Sequence, residues 1–65
     1  MAVVEYELKG RIVYVRRKTA GKVMRRLSII ANRLERDGHT VEAVTVWCTH
    51  HEADPWAGTV LVQEA

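Results

Sequence analysis

The chain has 65 residues, one cysteine and a formal net charge of +2. That length holds a single domain, residues 1–65, and one that is marginal alone, because a chain this short buries only about 60% of the surface its unfolded form exposes. One cysteine excludes an internal disulfide and favours a reducing compartment, which leaves association with another copy as the usual route to further burial.

The small net charge hides a strong asymmetry. All ten Lys and Arg residues lie between Lys9 and Arg36, where Glu35 is the sole acid, so this segment carries +9. The remainder has seven acids and no Lys or Arg, so it carries −7. Such a layout points to an acidic partner, either nucleic acid or an acidic protein surface. The opening MAVVEYELKG has acids where a secretory signal needs cations and an apolar run. No stretch has the length of a membrane span. The expected setting is the cytoplasm, with no membrane partner.

Taken in order, Val3 to Leu8 alternates, with Val4, Tyr6 and Leu8 on one face and Val3, Glu5 and Glu7 on the other. Lys9-Gly10 signals a turn. Arg11 to Arg16 alternates again, Val13 and Val15 opposing Ile12, Tyr14 and Arg16. Two hairpin registers put the same valines on one face. The one with Gly10-Arg11 as the turn pairs Lys9 with Ile12 and Glu5 with Arg16, and is preferred because Gly then opens a type II′ turn.

The stretch RRKTAGKVMRRLSIIANRLER, Arg16 to Arg36, reads as an amphipathic helix. At about 100° per residue, Ala20, Val23, Met24, Ile30, Ala31 and Leu34 fall within roughly 60° of Leu27. Lys22, Arg25, Arg26, Arg33, Arg36 and Asn32 take the opposite side, with Ile29 among them. Thr19 is the expected N-cap and Gly38 the expected left-handed stop. Arg16, Arg17, Lys18 and Lys22 gather at the helix N-terminus, where cations oppose the helix dipole. Free amides near Thr19 to Lys22 would suit an anion there. Thr19-Ala20-Gly21-Lys22 is not a phosphate loop: the earlier glycine is missing and Val23 stands where Ser or Thr would hold magnesium.

Thr40 to Thr49 is rich in β-branched residues and reads as a strand, with Val44, Val46 and Cys48 on one face and Ala43, Thr45 and Trp47 on the other. HHEADP, residues 50–55, is a polar loop, and Trp56 to Gln63 a last strand with Trp56 as a packing anchor. The order is ββαββ. It predicts an α+β fold: a four-stranded, mainly antiparallel sheet with the amphipathic helix packed on one face.

The opposite sheet face then carries Ile12, Tyr14, Trp47 and Leu61, an apolar area that suits a homodimer packed sheet on sheet or a stacking platform for unpaired bases. The loop's Cys48, His50, His51, Glu52 and Asp54 match no zinc spacing, and Cys48 reads as a buried thiol, so neither a metal, another cofactor nor a catalytic residue is expected. The functional expectation is a small non-enzymatic homodimeric protein that engages nucleic acid through Arg16, Arg17, Lys18, Lys22, Arg25, Arg26, Arg33 and Arg36. These residues would position the partner by charge. The alternative is a modulator or inhibitor that sets the same face, centred on Ile29, against an acidic protein surface.

Overall fold

The computed structural model describes residues 6–63. Among them the order is β1 (Ile12–Arg17), α1 (Ala20–Arg36), β2 (Val41–Cys48) and β3 (Trp56–Val62). The three strands form one antiparallel sheet in the order β1-β3-β2. β3 therefore lies between β1 and β2, which run parallel to each other, and α1 makes the crossover between them. This is an α+β domain with three strands among the described residues, where ββαββ with four was expected. Val3 to Glu5 of the expected first strand lie outside those residues. Tyr6 to Leu8 are not strand, and only Lys9 forms a bridge, to Ile12.

That bridge has the preferred hairpin register. Lys9 and Ile12 exchange backbone hydrogen bonds of 2.9 and 3.1 Å. Gly10 takes φ 64°, and Arg11 has no positive φ. A turn with positive φ at its first central residue alone is the II′ pattern, whose twist matches that of the flanking strands. The expected Glu5–Arg16 pair lies outside the described residues.

The helix is delimited by its end residues. Thr19 is extended (φ −133°, ψ 156°), and its hydroxyl accepts the Lys22 amide at 3.2 Å. At the other end Gly38 has φ 97°. The His39 amide reaches the Leu34 carbonyl at 2.9 Å, and the Gly38 amide reaches Glu35 at 3.1 Å. This is the Schellman pairing, in which two of the final helical carbonyls find donors.

Val23, Leu27, Ile30 and Leu34 of α1 pack on Val13 and Val15 of β1 and on Val60 and Val62 of β3. Each fully buried Val, Leu or Ile is worth about 1.5–3 kcal/mol relative to exposure. Gly58 makes the close approach possible. A Cβ there would stand 2.6 Å from Leu27 Cδ1, 2.7 Å from Val23 Cγ1 and 2.9 Å from the Thr45 carbonyl oxygen.

The helix is not centred on its predicted stripe. Met24 and Ile30 flank Leu27 at similar angles, yet Ile30 is 1% exposed and Met24 57%. Ile30 borders a cleft shared with Val13 and Val15, whereas Ala31, on the Met24 side, borders Val41 and Val44. The Ile30 edge is thus sealed against β1, and the Met24 edge stays open towards β2. Val44 is 52% exposed and Cys48 is exposed, so the expected burial of Cys48 in the core is corrected: β2 is an edge strand that the helix only partly covers.

Tyr6 and Leu8 pack against the core from the segment ahead of β1. The Tyr6 hydroxyl donates to Asp37 Oδ2 at 2.6 Å, and Arg33 Nε lies 3.5 Å from Asp37 Oδ1. The bond to Asp37 raises the Tyr6 pKa above its ordinary value, with desolvation and the Asp37 charge adding to it and Arg33 opposing.

Two outcomes follow. Gly58→Ala forces the helix off β3 and should cost about 1–3 kcal/mol, as overpacking does. Thermal denaturation should show a Tm lower by several degrees, at roughly 4–8 °C per kcal/mol for a domain of this size. The raised Tyr6 pKa means that the folded chain holds this proton more tightly than the unfolded chain. Its stabilising effect is complete below the ordinary tyrosine pKa of about 10 and is lost as pH rises through the folded value. Denaturant titrations across that range should show a steeper alkaline loss for the native chain than for Tyr6→Phe.

Candidate functional site

Because α1 must bury Val23, Leu27, Ile30 and Leu34, its opposite side is fixed outward. Lys22, Arg25, Ile29, Asn32, Arg33 and Arg36 are all exposed there. From Lys22 to Arg36 the rise is roughly 21 Å at 1.5 Å per residue. Ile29, 48% exposed, lies with Arg17, Lys22, Arg25 and Arg26 along a shallow groove of about 200 Å³. Arg17 and Arg26 also line the neighbouring cleft beside β1, so the basic surface continues around that edge of the helix.

These cations differ in how far they are already engaged. Arg33 is paired with Asp37, and Arg11, outside the helix, with Glu42 at 3.1 Å. Arg26 has a partner of its own. Among the described residues, Arg17, Lys18, Lys22, Arg25 and Arg36 have no carboxylate within 4.0 Å. The first turn of the helix contains no acid. At the predicted anion position, Thr19 already occupies the Lys22 amide.

Arg16 stands apart from the helical group. It projects from β1 on the sheet face away from α1, where its Nη1 donates to Thr49 Oγ1 at 2.8 Å and to the Asp54 carbonyl at 3.1 Å. Its guanidinium carbon is 5.5 Å from the centre of the Tyr14 ring, and Nη2 also donates to the Tyr14 hydroxyl. Arg16 therefore ties the β2–β3 loop to β1. The sequence indicated its charge but not this contact, which depends on β3 bringing the loop beside the end of β1.

The same face brings together Tyr14 and Trp47, with ring centroids 6.2 Å apart and planes tilted by 56°. Ile12 is 44%, Tyr14 51% and Trp47 38% exposed, while Leu61 is half-buried opposite Ile12 and Ala43. The predicted platform residues thus share one face, but Arg16 lies across it as a cation. In the loop, the Asp54 amide donates to His51 Nδ1 at 3.0 Å, and the His51 amide to Thr49 Oγ1 at 3.1 Å. Among the described residues no three His, Cys, Asp or Glu side chains are grouped to hold a metal ion. No helix of the described chain is long and apolar enough to cross a membrane.

No protein-family model, curated protein or solved structure matches the chain.

Removing the Arg16 side chain should free the loop without disturbing α1. Limited proteolysis of Arg16→Ala should cut within residues 49–55 faster than in the native chain, while the helical circular dichroism stays unchanged.

Proposed function

We propose that α1 binds double-stranded nucleic acid through its outward face, as a non-enzymatic protein acting in pairs. The observation that carries this reading is the set of cations on that face, Lys22, Arg25 and Arg36, without carboxylate partners among the described residues, with Arg17 and Lys18 beside its N-terminal end. A convex helix with Lys and Arg along about 21 Å fits a grooved polyanion, and phosphate neutralisation needs charge and reach rather than a closed pocket. Arg33 and Arg26 would join by exchanging their present partners. Nothing on the face is arranged for base readout, so binding would be tolerant of sequence. Arg16 ties β1 to the β2–β3 loop and lies outside the contact surface.

A second reading has its own observation. Ile29 is half-exposed in the middle of the cations. An apolar centre with a basic rim also suits an acidic protein surface, and the protein would then be a modulator or inhibitor of that partner.

Fluorescence anisotropy with mixed-sequence duplexes at several salt concentrations separates the two. The nucleic-acid reading expects log K to fall linearly with log salt, by about 0.9 per phosphate contact. Arg25→Ala and Arg36→Ala should each flatten the slope by about 1 and weaken all sequences alike, whereas Arg16→Ala should leave it unchanged. No binding at low salt, with a protein partner lost on Ile29→Glu, would favour the second reading.

A further inference from the structure

The two edges of the sheet are not equivalent. On β1, the outward backbone groups of Ile12 are taken by Lys9 and the outward Arg16 carbonyl by Arg17 Nη1 at 2.7 Å, which leaves Tyr14 between them. Along β2, among the described residues, no such bond is made, and the register shows which residues carry the outward groups. The Thr49 amide donates to the Pro55 carbonyl, one step beyond the Cys48–Trp56 pair. Hydrogen-bonded and non-hydrogen-bonded pairs alternate along an antiparallel ladder. Thr45 and Trp47 therefore turn their N–H and C=O groups to β3, and Val44, Val46 and Cys48 turn theirs away from the sheet. The bond from the Val62 amide to the Arg11 carbonyl gives the matching parity on the other side of β3.

We infer that β2 pairs with β2 of a second copy, antiparallel about a twofold axis centred on Val46. In this register Val44 of each copy faces Cys48 of the other, and Val46 faces Val46, so every outward group meets a complementary one. The strand is self-complementary in its side chains as well. Val44, Cys48 and Trp47, all exposed in the single chain, gain cover, with Trp47 of one copy opposite Thr45 of the other. Glu42, the one charged residue in β2, is held by Arg11 of its own chain and so brings no unpaired charge to the seam. No Lys, Arg or Pro guards this edge, although such residues are the usual means of blocking strand addition.

The axis stands perpendicular to the sheet, so the result is one continuous sheet with both helices on the same side. Their supporting β3 strands would lie three strand spacings apart, roughly 14 Å. The exposed Met24 side chains point into the gap between the helices. Two cationic faces would then share one surface, which extends the proposed function, although the interface itself assumes nothing about what the helices bind.

Sedimentation velocity and oxidative cross-linking test this. The unaltered chain should sediment as a dimer. Val44→Lys, at a position already half in solvent, should sediment as a monomer with native circular dichroism. Val44→Cys places a thiol opposite Cys48 of the other copy, about 5.5 Å away between Cα atoms and within disulfide range. Within one chain the same two positions are roughly 13 Å apart. Mild oxidation should give a covalent dimer from Val44→Cys and none from the unaltered chain, whose two Cys48 residues stand apart. A chain that stays monomeric at all concentrations would overturn the inference while leaving the proposed function open to its own test. So would a dimer that resists Val44→Lys and does not cross-link through Val44→Cys, since it would use another face.

Discussion

The approach of α1 to β3 at Gly58 is the contact on which the rest of the fold depends. Val23 and Leu27 lie where any side chain at position 58 would stand. With the helix held this close, Val13, Val15, Val60 and Val62 can be sealed by one row of four helical residues. The same contact fixes the rotation of the helix. Lys22, Arg25, Ile29 and Arg36 face outward because Val23, Leu27, Ile30 and Leu34 cannot. Packing thus sets the geometry of the charged face, and a loss of packing at Gly58 would be felt there too.

The charge on that face is not a device for stabilising the helix. The N-terminal turn has Lys22 and no acid, and Arg17 and Lys18 precede it, where each nearby cation costs up to about 1 kcal/mol against the dipole. Thr19 offsets part of this by capping one amide. Arg33 and Arg36 suit their end, and Arg33 is held by Asp37, which also receives the Tyr6 hydroxyl. The C-terminal end is therefore built for stability, while Lys22 and Arg25 nearer the N-terminal end have no carboxylate partner among the described residues. An incoming polyanion would relieve that imbalance.

Local chemistry was legible from the residues alone, and relations between distant segments were not. Thr19 and Gly38 marked the helix ends, because capping and a left-handed stop need particular side chains at single positions. Gly10 selected the Lys9–Ile12 register for the same reason. Alternation placed β1, β2 and β3 within a residue or two of their observed bounds. Strand order has no such local signal, and the misassigned burial follows from it; Tyr6 to Leu8, which alternate as a strand would, are not strand. With β3 in the centre, β2 became an edge, so Val44, Met24 and Cys48 stand in solvent although the period assigned them to the core. Proximity in sequence groups Arg16 with the helical cations, yet strand alternation turns it to the other side of the sheet and onto Thr49 and Asp54. Gly58 has no local signal of its role, since only the docked helix gives it one. Of the candidate contact residues, those on α1 share one face because the helical period alone places them. Whether that face meets nucleic acid is a matter of chemistry that the period does not address.

The central claim is that the outward face of α1 is the nucleic-acid contact. It is tested most directly by amide chemical-shift mapping of the isotopically labelled chain as an unlabelled mixed-sequence duplex is added at low salt. The account predicts shifts concentrated at Arg17, Lys22, Arg25, Ile29 and Arg36, with Tyr14, Trp47 and the 49–55 loop unmoved. Shifts centred on Tyr14 and Trp47, or none along α1 at saturating duplex, would contradict it.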